Sequence, residues 1–175
     1  MYLTDEPAYF LRGVPSMKAI EGRIGRVFVL RLDHDDPLPQ CIEEFAAEKK
    51  IRLAQVVFHG GIYKGNLVAG PLKTNDPKPV PIVLPVNEAN ESVASGFIAP
   101  DENGKPVLHM HGSLGRAGKT MSGCFQKGVT VWLVGEAVIH EILSESRVAR
   151  VLNEKADIKL LEILDEPAFN RTLDP

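Results

Sequence analysis

Long apolar runs are missing from this chain of 175 residues. The longest, such as 129–134 (VTVWLV), fall far below the roughly 18 residues a membrane span needs, so no membrane partner is expected. Cysteine is scarce. Cys41 and Cys124 alone exclude a disulfide framework and point to a reducing compartment. A dominant charge is also absent: 20 Lys and Arg face 23 Asp and Glu, for a net charge of −3. That balance weighs against a nucleic-acid polyanion as the main partner. The 15 Gly and 13 Pro are scattered, which excludes collagen-like repeats and disordered tracts and fits many short strands and turns. The first ten residues, MYLTDEPAYF, are acidic and interrupted by proline, so they do not read as a signal peptide. A cytoplasmic, single-domain protein is the expectation.

What is present begins with 26–33 (RVFVLRLD), a strand closed by the turn His34-Asp35-Asp36-Pro37. Asp36 reads as an N-cap, with Pro37 at the first helical position. The helix covers 38–50: Leu38, Ile42, Phe45 and Ala46 recur three or four apart. Glu43, Glu44, Glu48, Lys49 and Lys50 take the other side, acids ahead of lysines as the helix dipole prefers. Everything beyond Lys50 reads mostly as β. Strand 52–58 is stopped by Gly60-Gly61, 64–69 by Gly70-Pro71, and 82–86 follows a Pro-rich loop. Strand 92–99 leads through the hairpin turn Asp101-Glu102-Asn103-Gly104 to the return strand 106–113. A glycine-rich turn at 115–119 follows, then the long run 129–142, bent at Gly135. The segment 147–164 is either a helix or two short strands joined by the polar turn 153–157. One helix between two strands, then strands in hairpin order, is an α+β pattern with a mostly antiparallel sheet. Its start permits a parallel crossover between the first two strands. Residues 1–17 read as an N-terminal arm able to pack on a neighbouring subunit, 18–165 as the domain, and 166–175 as a tail.

The sharpest motif is His109-Met110-His111. On a strand, residues two apart share a face, so both imidazoles project side by side while Met110 turns to the core. That arrangement serves a metal, and it also arises from two surface histidines. His59, before Gly60-Gly61 at a strand end, is placed to line a pocket or to cap its own turn. His34 reads as a solvated turn residue, and His140-Glu141 as a surface pair. Glu136 lies inside an apolar run, where a carboxylate needs a partner. A nucleophile elbow and a phosphate-binding Gly-x-x-x-x-Gly-Lys-Ser/Thr loop are both absent.

The order and spacing of these segments resemble the plants-and-prokaryotes-conserved (PPC) domain family across residues 18–165. The resemblance is carried by PVLHMHGSLGRAGKTMSGCF, then KGVTVWLVGEAVIHEI, with the first strand and helix agreeing as well. It implies a compact α+β fold with about seven strands, assembled as a homotrimer, and a three-histidine metal site suited to zinc. His109 and His111 match the first two histidines. The third position reads Cys124, a departure that still offers zinc a thiolate ligand. The implied site is zinc on His109, His111 and Cys124 with an open fourth position for a small molecule. Metal-assisted hydrolysis is its most natural chemistry, and Glu136 is the candidate general base or orienting group. Plant members carry a separate Arg-Gly-Arg-Pro hook for the DNA minor groove. No such motif occurs here, and Arg23, Arg26 and Arg31 read as ordinary solvated arginines. DNA association, or a purely structural trimeric module, are the competing roles.

Overall fold

The computed structural model describes residues 17–164. The expected tail, and all of the arm but Met17, lie outside the described residues. The chain forms β1 (Arg23–Asp33), α1 (Leu38–Glu48), β2 (Ala54–Pro71), β3 (Pro81–Val86), β4 (Asn90–Pro100), β5 (Pro106–Arg116), β6 (Lys119–Phe125), β7 (Thr130–Leu143), β8 (Val148–Asn153) and β9 (Ile158–Ile163). Seven strands make one antiparallel sheet in the order β1-β7-β2-β4-β5-β6, with β3 on the far half of β2. β1 and β2 both run antiparallel to β7, which lies between them, so the two strands joined by α1 are parallel. Among the described residues no helix is long and apolar enough to cross a membrane.

Alternation sets the two faces of the sheet. Val56, Phe58, Ile98, Met110, Leu114 and Ile139 turn inward against Leu38, Ile42 and Ala46 of α1. Gln55, Val57 and His59 turn outward, as do Val93, Phe97, His109 and His111. Among the described residues the outer face is covered at one end only. There β8 and β9 pair as a hairpin, and Val148 packs on Leu53 and Ala99 in a second small core.

Local expectations change where pairing overrules pattern. Gly60-Gly61 does not stop a strand: β2 continues for 18 residues, because β7 bulges opposite it and carries Leu133 at φ 65°. The 52–58 and 64–69 segments are therefore one element, which pairs first with β4 and β7 and then with β3 and β6. The 115–119 turn shrinks to Ala117-Gly118, and β6 follows it. The ambiguous 147–164 segment is the β8–β9 hairpin.

The helix is shorter than 38–50 and ends at Glu48, with Pro37 as N-cap residue. Asp36 does not cap it; its carboxylate accepts the Asp33 N–H at 2.8 Å instead. Neither acids in the first turn nor bases in the last complement the dipole. Glu43, expected on the solvent side, is buried. His140-Glu141 is not a surface pair either. Glu141 is buried and takes both guanidinium contacts of Arg26 at 2.7 Å. His34 does more than face solvent: its Nδ1 accepts the N–H of the bulged Leu133 at 3.0 Å.

Candidate metal site on the outer sheet face

His109 and His111 share the outer face of β5, and register puts Cys124 of β6 directly across from His111. Cys124 reaches that position because β6 closes onto β2, pairing Leu67 with Phe125 and Val68 with Cys124. Glycine at 123 permits the approach, since a Cβ there would stand 2.6 Å from the Val68 carbonyl oxygen. The two imidazoles meet edge to face with centroids 4.8 Å apart, and their Nε2 atoms are 3.0 Å from each other. The ligand atoms of His109, His111 and Cys124 all lie within 4.8 Å of one another. Tetrahedral zinc bonds of about 2.0 Å to nitrogen and 2.3 Å to sulfur need donor separations of roughly 3.3 to 3.6 Å. The nitrogens fit as they stand, and the sulfur needs about 1 Å of side-chain adjustment.

The setting is electropositive and partly desolvated. Burial, then the charge of Arg150 and the neighbouring His111, holds His109 below the usual imidazole range, which leaves it neutral and able to ligate. Burial pushes the Cys124 thiol up, while Arg150 and the hydrogen bond from Gln126 oppose that rise. Arg150 is itself buried. It donates from Nη2 to the Phe97 carbonyl at 2.9 Å and from Nε to the Val107 carbonyl at 3.4 Å. Glu43 reaches β5 from the helix side and accepts the Leu108 N–H at 2.9 Å, on the edge that β6 leaves free.

Glu136 and His59 are brought together, but not with the triad. They are register partners on β7 and β2, joined at 2.7 Å with both side chains more than half exposed. Glu136 stands three strands from β5, roughly 14 Å at the usual strand spacing. Within one chain it does not orient His109 or His111. Two clefts of about 370 and 530 Å³ lie elsewhere, the first beside Arg23, Arg52 and Val148, the second beside Asn87, Arg116 and Met121. The triad therefore sits on an open face rather than in either cleft.

Residues 19–143 match the pattern of the Plants and Prokaryotes Conserved (PCC) domain. The chain belongs to this family. The PCC match ends with β7, so the β8–β9 hairpin and Arg150 follow the matched segment. Three solved structures share the fold. The metal-containing protein AF0104 from Archaeoglobus fulgidus is 26% identical, with 83% of this chain and 99% of that one aligned at a TM-score of 0.71. A plant- and prokaryote-conserved protein from Pyrococcus horikoshii is 21% identical over 86% of this chain and 100% of that one, also at 0.71. A candidate DNA-binding protein from Bacteroides thetaiotaomicron is 18% identical over 81% and 97%, at 0.64. No curated protein matches the chain.

Sequence reasoning missed Arg150, Glu43 and Gln126. A signal existed for Arg150: it stands among Val148, Ala149 and Val151, a charge in an apolar run just like Glu136. For Glu43 there was none, because helical spacing puts it with the solvated acids.

Proposed function

We propose that this PCC-domain protein binds zinc through His109, His111 and Cys124 and presents an open metal position to a small molecule. The convergence of two nitrogens and one sulfur within 4.8 Å carries this reading. An N₂S donor set suits zinc, which accepts imidazole and thiolate together. The Archaeoglobus relative, described as metal-containing, supports it. Zinc held there supplies Lewis acidity for a hydrolytic reaction. Three protein ligands with the outer face open is the pattern of a working rather than a purely structural zinc centre.

The same reading includes a homotrimer. Val27, Val29, Val57, Val93 and Phe97 lie exposed on the face that carries the triad, an apolar surface suited to a second copy. His59 and Glu136 stand on that face too. They enter the chemistry, as pocket wall and proton acceptor, only where a neighbouring copy brings them to the triad.

Metal analysis of the purified full chain tests the proposal. One zinc per chain is expected in the wild type and none in the double variant His109→Ala/His111→Ala. A wild type without stoichiometric metal sinks it. The DNA-binding description of the Bacteroides protein favours a second reading, but at 18% identity the likeness speaks for the fold alone. The net charge of −3 opposes that reading. Duplex affinity that falls steeply with added salt would reinstate it.

A further inference from the structure

Arg150 has a burial that the fold alone does not account for. Only 5% of the residue is exposed, yet no carboxylate among the described residues lies within ion-pair distance of its guanidinium. The nearby acids are engaged elsewhere. Glu43 holds the Leu108 N–H, Asp101 holds the N–H groups of Asn103 and Lys105, and Glu102 pairs with Lys159. Two main-chain carbonyls take two of the five N–H donors of Arg150. Its hydrogen-bond partners are neutral, and Glu43, whose charge reaches it, forms no ion pair with it. A buried cation so placed is costly unless an anion joins it.

The position of those carbonyls says where that anion belongs. Phe97 is the register partner of His109, and Val107 precedes His109 by two residues on the same face of β5, roughly 7 Å along the strand. The guanidinium is thus fixed against the rung that carries His109, and its charge reaches both His109 and Cys124. Divalent zinc with one coordinated thiolate keeps one positive charge, and Arg150 adds a second in a partly desolvated setting. Two positive charges beside an open coordination position select a negative ligand. A guanidinium fork matches carboxylate and phosphate oxygens better than a point charge does.

We propose that Arg150 is the anion-selecting residue of the site, so that the ligand taken at the open position carries a carboxylate or phosphate group. This rests on the zinc reading above and names its ligand class.

The test uses the full chain loaded with Co²⁺, whose visible bands report on what joins the metal. Acetate, inorganic phosphate and neutral imidazole are titrated separately at constant ionic strength. In the wild type, acetate or phosphate shifts the bands, and whichever binds more tightly identifies the ligand group. In Arg150→Gln the affinity for that anion falls at least tenfold, while cobalt and imidazole affinities stay within about threefold. In Arg150→Lys, which keeps the charge without the fork, the anion loses less. A merely structural arginine would lower the melting temperature and leave the anion-to-imidazole ratio unmoved, and that result overturns the proposal. Should Arg150→Gln not fold, Arg150→Lys and the wild type decide: bands indifferent to both anions overturn it as well. Cobalt bound in the wild type without any anion effect refutes the Arg150 assignment alone. Absence of cobalt refutes the metal reading and this inference together.

Discussion

A carboxylate and a guanidinium lock the first strand to the last long one. Glu141 is buried and receives Arg26 through Nε, Nη2 and the backbone N–H. Those hydrogen bonds from Arg26 hold its carboxyl below the ordinary carboxylate range, against the opposing effect of burial. A depressed folded-state value adds stability that is complete above the unfolded-state value of about 4.3 and is lost as the pH falls through the folded one. Glu141→Gln should therefore melt below the wild type at pH 7, and the gap should close as the solution is acidified below that range. Thermal melts across the acid limb check this; a gap independent of pH contradicts it. Cys41 behaves differently. Burial above all pushes its thiol up to about 12, so it stays protonated and unreactive on the inner side of the helix, as a core residue should. At this scale the histidine pair was legible, because period-two spacing on a strand leaves His109 and His111 no choice of face. Arg150 carried only the faint signal of a charge in an apolar run, because its burial beside β4 and β5 depends on a hairpin that only the fold reveals.

Among the elements, β4, β5 and β6 form the platform of the site, and close backbone approach is its condition. At Gly96 of β4, opposite Met110, a Cβ would stand 2.4 Å from the His109 carbonyl oxygen and 2.7 Å from the Met110 Cα. Backbone atoms cannot step aside as a flexible side chain can. Gly96→Ala should cost about 1–3 kcal/mol through overpacking and weaken metal binding by moving β4 against the histidine strand. Chemical denaturation and a metal competition titration on the same variant check both effects; unchanged stability would show that the ladder gives way freely. The β4–β5 hairpin was readable from turn chemistry and alternation, and β7 from its long β-type run. The unbroken β2 was not. Its glycine pair carries the mark of a stop, and only a bulge on β7, where the register jumps from Gly60–Gly135 to Gly61–Trp132, lets the strand run on. Glu43 was misplaced for a related reason: a helix face that looks polar turns toward an unpaired strand edge, where the carboxylate replaces a missing strand partner.

For the whole molecule, the exposed apolar outer face is the feature that bears on assembly. Val29 is 79% exposed, Val93 64% and Phe97 43%, in rows that also carry His59, His109 and His111. Among the described residues nothing covers this face except the β8–β9 hairpin. Light scattering on the full chain should give about three times the monomer mass. Val29→Asp/Val93→Asp should reduce it to one chain without unfolding, since neither side chain belongs to the core. A monomeric wild type contradicts the trimer. The α+β class with a mostly antiparallel sheet followed from the pattern, the count of about seven strands from the family resemblance, and the assembly rests on that resemblance and on this exposed face. The central claim is that Cys124 serves as the third ligand beside His109 and His111, and cobalt substitution tests it most directly. The account predicts one cobalt per chain with a thiolate-to-metal charge-transfer band that disappears in Cys124→Ala. Cobalt bound at full stoichiometry without that band, or no cobalt bound at all, would contradict it.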